Sequence, residues 1–176
     1  MTNRYDLIKI QEKLQKKLTP DRYQHTLGVM YTCAALAMCH GCNLERAMVA
    51  GLLHDCAKCI PNDKKISICE KNNIAITEAE RKNPSLLHAK AGVFLAKSKY
   101  DIEDEDILDA IRYHTTGNVD MTLLQKITYL ADYIEPWRNK ATNLPVIREA
   151  AFQDLDKALY MVCLLYTSPS PRDRTR

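Results

Sequence analysis

Residues 48–65 read MVAGLLHDCAKCIPNDKK, and the junction between their apolar and polar halves decides the fold. Val49, Ala50, Leu52 and Leu53 recur as they would on one buried helical face, after which the chain runs straight into His54 and Asp55. Asn43 is a cap residue ahead of this segment and IPND a stop beyond it, so the spacing predicts a helix over 44–58. An imidazole and a carboxylate that end an apolar run must be paired or metal-bound if they are buried.

Outward from this helix the same period repeats. Leu7, Ile10, Leu14 and Leu18 fall at steps of three and four within RYDLIKIQEKLQKKL, one helical face. Thr19, Pro20 and Asp21 supply a cap, a first-turn proline and an early acid for a second helix running to about Gly41. Further helical patterns cover 64–71, 85–97, 105–114, 123–134 and 146–165, with Gly117, Pro136 and Pro145 as separators among the last of them. No alternation bounded by turn pairs supports a hairpin, and no internal repeat is present. The expectation is one compact all-α domain over 1–166; TSPSPRDRTR, 167–176, is polar and aperiodic and is expected to be disordered or foreign to the domain.

Composition narrows the function classes. With 46% apolar and 27% charged residues the chain can bury a real core, and a net charge of +3 from scattered basic residues offers no stripe for nucleic acid. No window of about 18 consecutive apolar residues occurs and MTNRYDLIKIQEK lacks an uncharged signal core, so no membrane association and a cytoplasmic location are expected. Seven cysteines without secretory context point to reduced thiols. Cys39 and Cys42 in CHGC, with Cys56 and Cys59 in CAKC thirteen residues on, approach a structural zinc pattern. Both pairs fall in or at the ends of helical segments, whereas such ligands sit on turns, so small unligated thiols are the expectation.

The histidines carry the chemistry. His25 lies in line with Val29 and Leu36, His88 sits among apolar residues in SLLHAKAGVFLA, His114 closes ILDAIRYH, and Asp132 interrupts ITYLADYIEP. A lone buried histidine is usually satisfied by backbone. Four histidines (His25, His54, His88, His114) and two aspartates (Asp55, Asp132), each on an apolar helix face, would need six separate explanations, where one central metal site supplies a single one. Imidazole and carboxylate donors suit Fe, Mn, Zn or Mg rather than a thiolate-selected metal.

The ordered set His25, His54–Asp55, His88, His114 and Asp132 resembles the HD-domain metal-dependent phosphohydrolases. More narrowly, HDCAKCIP beside RYHTTG and YLADYIEPWR is similar to the YqeK family, over about residues 5–165. That resemblance implies an HD-domain helical bundle with a central metal site, symmetrical cleavage of diadenosine tetraphosphate to two ADP, and a divalent metal, iron first, with Mn, Co, Zn or Mg open. It implies His25, His54, Asp55 and Asp132 as ligands, with a second metal allowed at His88 and His114. Asp55, His88 and His114 are the implied catalytic groups. Cys56, Ala57, Lys58 and Thr115 join Asp55, His88, His114, Asp132 and Arg138 along the substrate, with Lys58 contacting phosphate and Arg138 clamping the polyphosphate, as charge-assisted donors suit.

Tyr113, Tyr129 and Trp137 are stacking candidates for a base, although aromatics at helical spacing more often pack in a core. The alternatives are another HD nucleotide phosphohydrolase, or a non-catalytic nucleotide-binding regulator, which would lack ligands that this chain keeps. A dinucleoside polyphosphate or nucleotide is the expected partner, and a homodimer is allowed.

Overall fold

The computed structural model describes residues 4–167. The expected tail over 167–176 lies outside them, save that Thr167 ends the last helix. Among the described residues the chain is helical throughout, with no strand, and no helix is long and apolar enough to cross a membrane.

Helix α1 (Leu7–Gln15) starts where the Asp6 carboxylate accepts the Lys9 N–H, and ends before Leu18, which is buried all the same. Thr19 caps α2 (Pro20–His40), and Gly41 closes it in the left-handed conformation. Asn43 caps α3 (Leu44–Leu53), which stops five residues short of the expected end. From Leu53 onward the N–H groups of Cys56, Lys58 and Ile60 each bond the carbonyl three residues back, so the chain winds on in short turns to Pro61.

Helix α4 (Asn62–Lys71) follows, then α5 (Glu78–Lys82), a single turn that the periodicity missed but that the Thr77–Glu80 capping box specifies. A 3₁₀ turn, Pro84–Leu87, leads into α6 (His88–Tyr100), and Asp104 caps α7 (Glu105–Tyr113). Helix α8 (Leu123–Ile134) has the expected bounds.

The expected helix over 146–165 is two helices, α9 (Leu144–Gln153) and α10 (Leu155–Thr167). Asp154 breaks it: its backbone is extended, its N–H bonds the Ala150 carbonyl, and its carboxylate caps the next helix at the Lys157 N–H.

Helices α2, α3, α7 and α8 pack on one another and their apolar faces merge in one core, where Leu36, Leu52, Leu53, Ile107, Ile111, Ile127 and Leu130 are fully buried. Each such side chain contributes about 1.5–3 kcal/mol relative to exposure. Gly51 lets the two central helices meet closely, since a Cβ there would lie 2.8 Å from the Met30 Cα. The ends of α3, α7 and α8 and the starts of α2 and α6 converge on one side of this core, and the ionisable residues gather there.

Candidate active site

Each imidazole is aimed by its Nδ1. His54 donates to the Gly51 carbonyl, His88 to that of Ser85 and His114 to that of Ile111, all at 2.7 Å and all three residues back. His25 instead faces the Glu135 carboxylate, Nδ1 to Oε1 at 3.1 Å. With Nδ1 carrying the proton, the Nε2 of His54, His88 and His114 is left as a lone pair directed at the common centre, whereas that of His25 is bonded to the Asp132 carboxylate and becomes a lone pair when its proton leaves.

Asp55, 3% exposed, lies between two histidine pairs. Its Oδ2 is 3.5 Å from His54 Nε2 and 4.0 Å from His25 Nε2; its Oδ1 is 3.2 Å from His88 Nε2 and 3.5 Å from His114 Nε2. Burial alone would raise its pKa, yet the surrounding histidines, His54 foremost, hold the carboxyl well below the usual range. Burial lowers the pKa of His88, against the pull of Asp55, and so favours the neutral ring.

Three cations surround the carboxylates. Arg22 Nη1 reaches Asp55 Oδ2 at 2.8 Å, Lys58 Nζ lies 3.6 Å from Asp55 Oδ1, and Arg138 Nη2 donates to both the Oδ1 and the carbonyl of Asp132 at 2.8 Å. Asp132 in turn lies 3.1 Å from His25 Nε2. Burial would raise the Asp132 pKa, but the His25 bond and the charges of His54 and His114 bring it below the usual range. The Thr115 hydroxyl sits 3.0 Å from His114 Nε2 and 3.2 Å from His88 Nε2.

The centre fits a metal on its own geometry. Nε2 of His25 and His54 stand 3.4 Å apart and those of His88 and His114 3.1 Å apart, so four ring nitrogens crowd around one carboxylate. Asp55 Oδ1 is buried without a hydrogen bond. A cation shared by these atoms satisfies all of them. Two sets, His25–His54–Asp55 and Asp55–His88–His114, each bring their ligand atoms within 4.8 Å of one another. The second set contains the two histidines of the second site that the resemblance allows, whereas Asp132, expected as a ligand, belongs to neither set. No cysteine joins either set; Cys39 and Cys59 are exposed, and Cys56 faces the Gly92 carbonyl with its thiol pushed up to about 12 by burial.

The remaining expected residues divide. Lys58, His114, Thr115, Asp132 and Arg138 line one cleft of about 190 Å³ with Asp55, whereas the side chains of Cys56 and Ala57 are buried. Of the aromatics, Tyr129 lines that cleft and Trp137 lines its neighbour.

Two contributors escaped the sequence. Arg22 precedes His25 by one turn, a spacing that places both on one face. Glu135 is buried beside His25; its Oε2 accepts the Trp137 N–H at 2.7 Å, and a Cβ at Gly28 would meet that oxygen at 2.5 Å and push the carboxylate aside. Arg148 braces the same turn, donating to the carbonyls of Ile134, Glu135 and Arg138.

Such a centre, built from helix ends alone, defines an all-helical domain organised around a histidine–aspartate metal site. The model of the HD domain matches residues 22–137. The symmetrical bis(5'-nucleosyl)-tetraphosphatase of Bacillus subtilis (strain 168) is 42% identical over 147 residues, covering 83% of this chain and 77% of its own. Its counterpart in Halalkalibacterium halodurans is 42% identical over 143 residues, covering 81% and 75%. The crystal structure of a predicted HD superfamily hydrolase involved in NAD metabolism, from Clostridium acetobutylicum, superposes with a TM-score of 0.86 at 45% identity, covering 90% of this chain and 83% of that one. The chain belongs to the HD-domain family and, within it, to the group of these symmetrical tetraphosphatases.

Proposed function

We propose that the chain hydrolyses diadenosine tetraphosphate symmetrically to two ADP, using a divalent metal held by His25, His54, Asp55 and Asp132. The observation that carries this is Asp55 between two histidine pairs, with Arg22, Lys58 and Arg138 on the carboxylates around it. A metal held there supplies water with its pKa lowered toward about 7, and so a nucleophile at neutral pH. Imidazole and carboxylate donors suit several divalent metals, and the family resemblance puts iron first among them.

The chain's own part is orientation and charge. Nδ1 bonds hold the imidazoles in the tautomer that ligates. Lys58 and Arg138 neutralise phosphate oxygens, which a phosphoryl transition state needs more than covalent help. His114 and the Thr115 hydroxyl line the same cleft, with His88 buried behind the hydroxyl at 3.2 Å; a histidine that has first taken up a proton at Nε2 can pass it to the leaving oxygen. Cys33, Cys39, Cys42, Cys56, Cys59 and Cys69 are in no disulfide, which suits a reducing cytoplasm.

Metal analysis of the purified protein, with chromatography of the products from diadenosine tetraphosphate, tests the proposal. ADP as the sole nucleotide product supports it. AMP with ATP, or no turnover in the presence of Fe, Mn, Co, Zn or Mg, overturns it.

A further inference from the structure

Two clefts open at the rim of the metal centre, and they differ in size. The one that holds Asp55 and Lys58 measures about 190 Å³, below the ≈ 300–1,000 Å³ of small-molecule sites, so it has room for phosphates but not for a nucleoside. The other measures about 500 Å³ and is lined by His25, Arg22, Trp137, Arg138, Lys140 and Asp21, among others. The clefts share Arg22 and Arg138, the two guanidinium groups that hold Asp55 and Asp132, so the larger one begins at the metal centre and runs outward from it.

Its chemistry is mixed in the manner of a nucleotide. Trp137 is 64% exposed on a backbone anchored by Glu135, so a large aromatic ring stands uncovered at the rim. Lys140 adds an exposed cation, and Asp21, the exposed one of two acids in the lining beside the buried Glu135, is an acceptor of the kind that ribose hydroxyls donate to.

We propose that this larger cleft receives one nucleoside diphosphate arm of the dinucleoside polyphosphate, with the base stacked on Trp137 and phosphate against Lys140. The proposal rests on the symmetrical reading above: a central cut leaves a nucleoside diphosphate on each side of the broken bond, so one arm lies beyond the cleft that holds the phosphates.

Trp137 is the sole tryptophan, so its fluorescence reports on this cleft alone. ADP titrated into the metal-loaded full chain quenches it saturably, and Lys140→Ala weakens that binding several-fold. Trp137→Ala raises KM for diadenosine tetraphosphate roughly tenfold, the scale of one lost base–aromatic stack. Tyr160→Ala, removing an equally exposed aromatic on α10, leaves KM unchanged. Fluorescence unmoved by millimolar ADP, or a KM within twofold of the parent in Trp137→Ala, overturns the proposal while release of ADP by the parent leaves the symmetrical reading standing. If the parent releases no ADP, that reading fails, and the ADP titration alone decides whether the cleft is a nucleotide site.

Discussion

Glu135 Oε1 stands 3.1 Å from Nδ1 of His25, a contact between residues 110 positions apart in the chain. The other carboxylate oxygen takes the Trp137 N–H at 2.7 Å, so one buried acid sets both a metal-facing ring and the turn that carries Arg138.

Replacing Glu135 by Ala frees the His25 ring and is expected to weaken metal binding about 10–100-fold, the usual cost of losing a carboxylate behind a ligating histidine. Gly28→Ala drives a methyl against the same carboxylate and gives a loss of the same kind. Because both act through one contact, the double substitution costs less than the sum. Metal retention under chelator competition measures all three; additive losses would show that Gly28 acts elsewhere.

Asp55→Ala removes the group common to both ligand sets. Hydrolysis and bound metal are both expected to disappear while the far-ultraviolet circular dichroism stays helical, since the helix caps and the apolar period are untouched. Activity with metal still bound would contradict the placement of Asp55 at the centre.

Metal affinity is expected to rise with pH. Burial opposes a charge on His25, but its bonds to Asp132 and Glu135 outweigh it and hold the ring above its ordinary 6.5. The metal-free chain therefore keeps a proton where the metal must bind, and the two compete. Affinity grows about tenfold per pH unit below the His25 pKa and levels off above it, with about one proton released per metal on the acid side. Calorimetric titrations in buffers of different ionisation heat, between about pH 6 and pH 8, count that proton; a flat profile would mean that His25 binds no metal.

Arg138→Ala is expected to raise the barrier for diadenosine tetraphosphate by about 1.5–3 kcal/mol, one to two decades in kcat/KM. Its bond to Asp132 predicts a smaller second effect, a modest loss of metal affinity. Comparison with p-nitrophenyl phosphate, which has no polyphosphate to grip, separates the two: equal losses on both substrates would leave Arg138 only its support of Asp132.

Much of this architecture can be read from the chain because its determinants are local. Thr19 and Asn43 announce helix starts by their side chains, and the uninterrupted apolar period over 123–134 delimits α8. The same period brought His25, His54, His88, His114, Asp55 and Asp132 to buried faces, and they meet. What could not be read depends on distant partners. The end of α3 has no proline or glycine to mark it, because short turns carry His54 and Asp55 into the centre. Asp154 divides α9 from α10 by capping both, which periodicity does not register. Arg22 and Glu135 look like ordinary charged positions until Asp55 and His25 arrive beside them.

Three of the four rings take their direction from bonds that close within three residues, and only His25 waits for residue 135. Bonds inside a turn form when that turn winds, whereas a contact across most of the chain must await closure of the loop between its ends. The centre therefore assembles in an order. The directions of His54, His88 and His114 are set as their own turns wind, and that of His25 only when the end of α8 docks on the start of α2. Loss of the end of α8 would accordingly leave three rings aimed and the fourth, His25, without its guide.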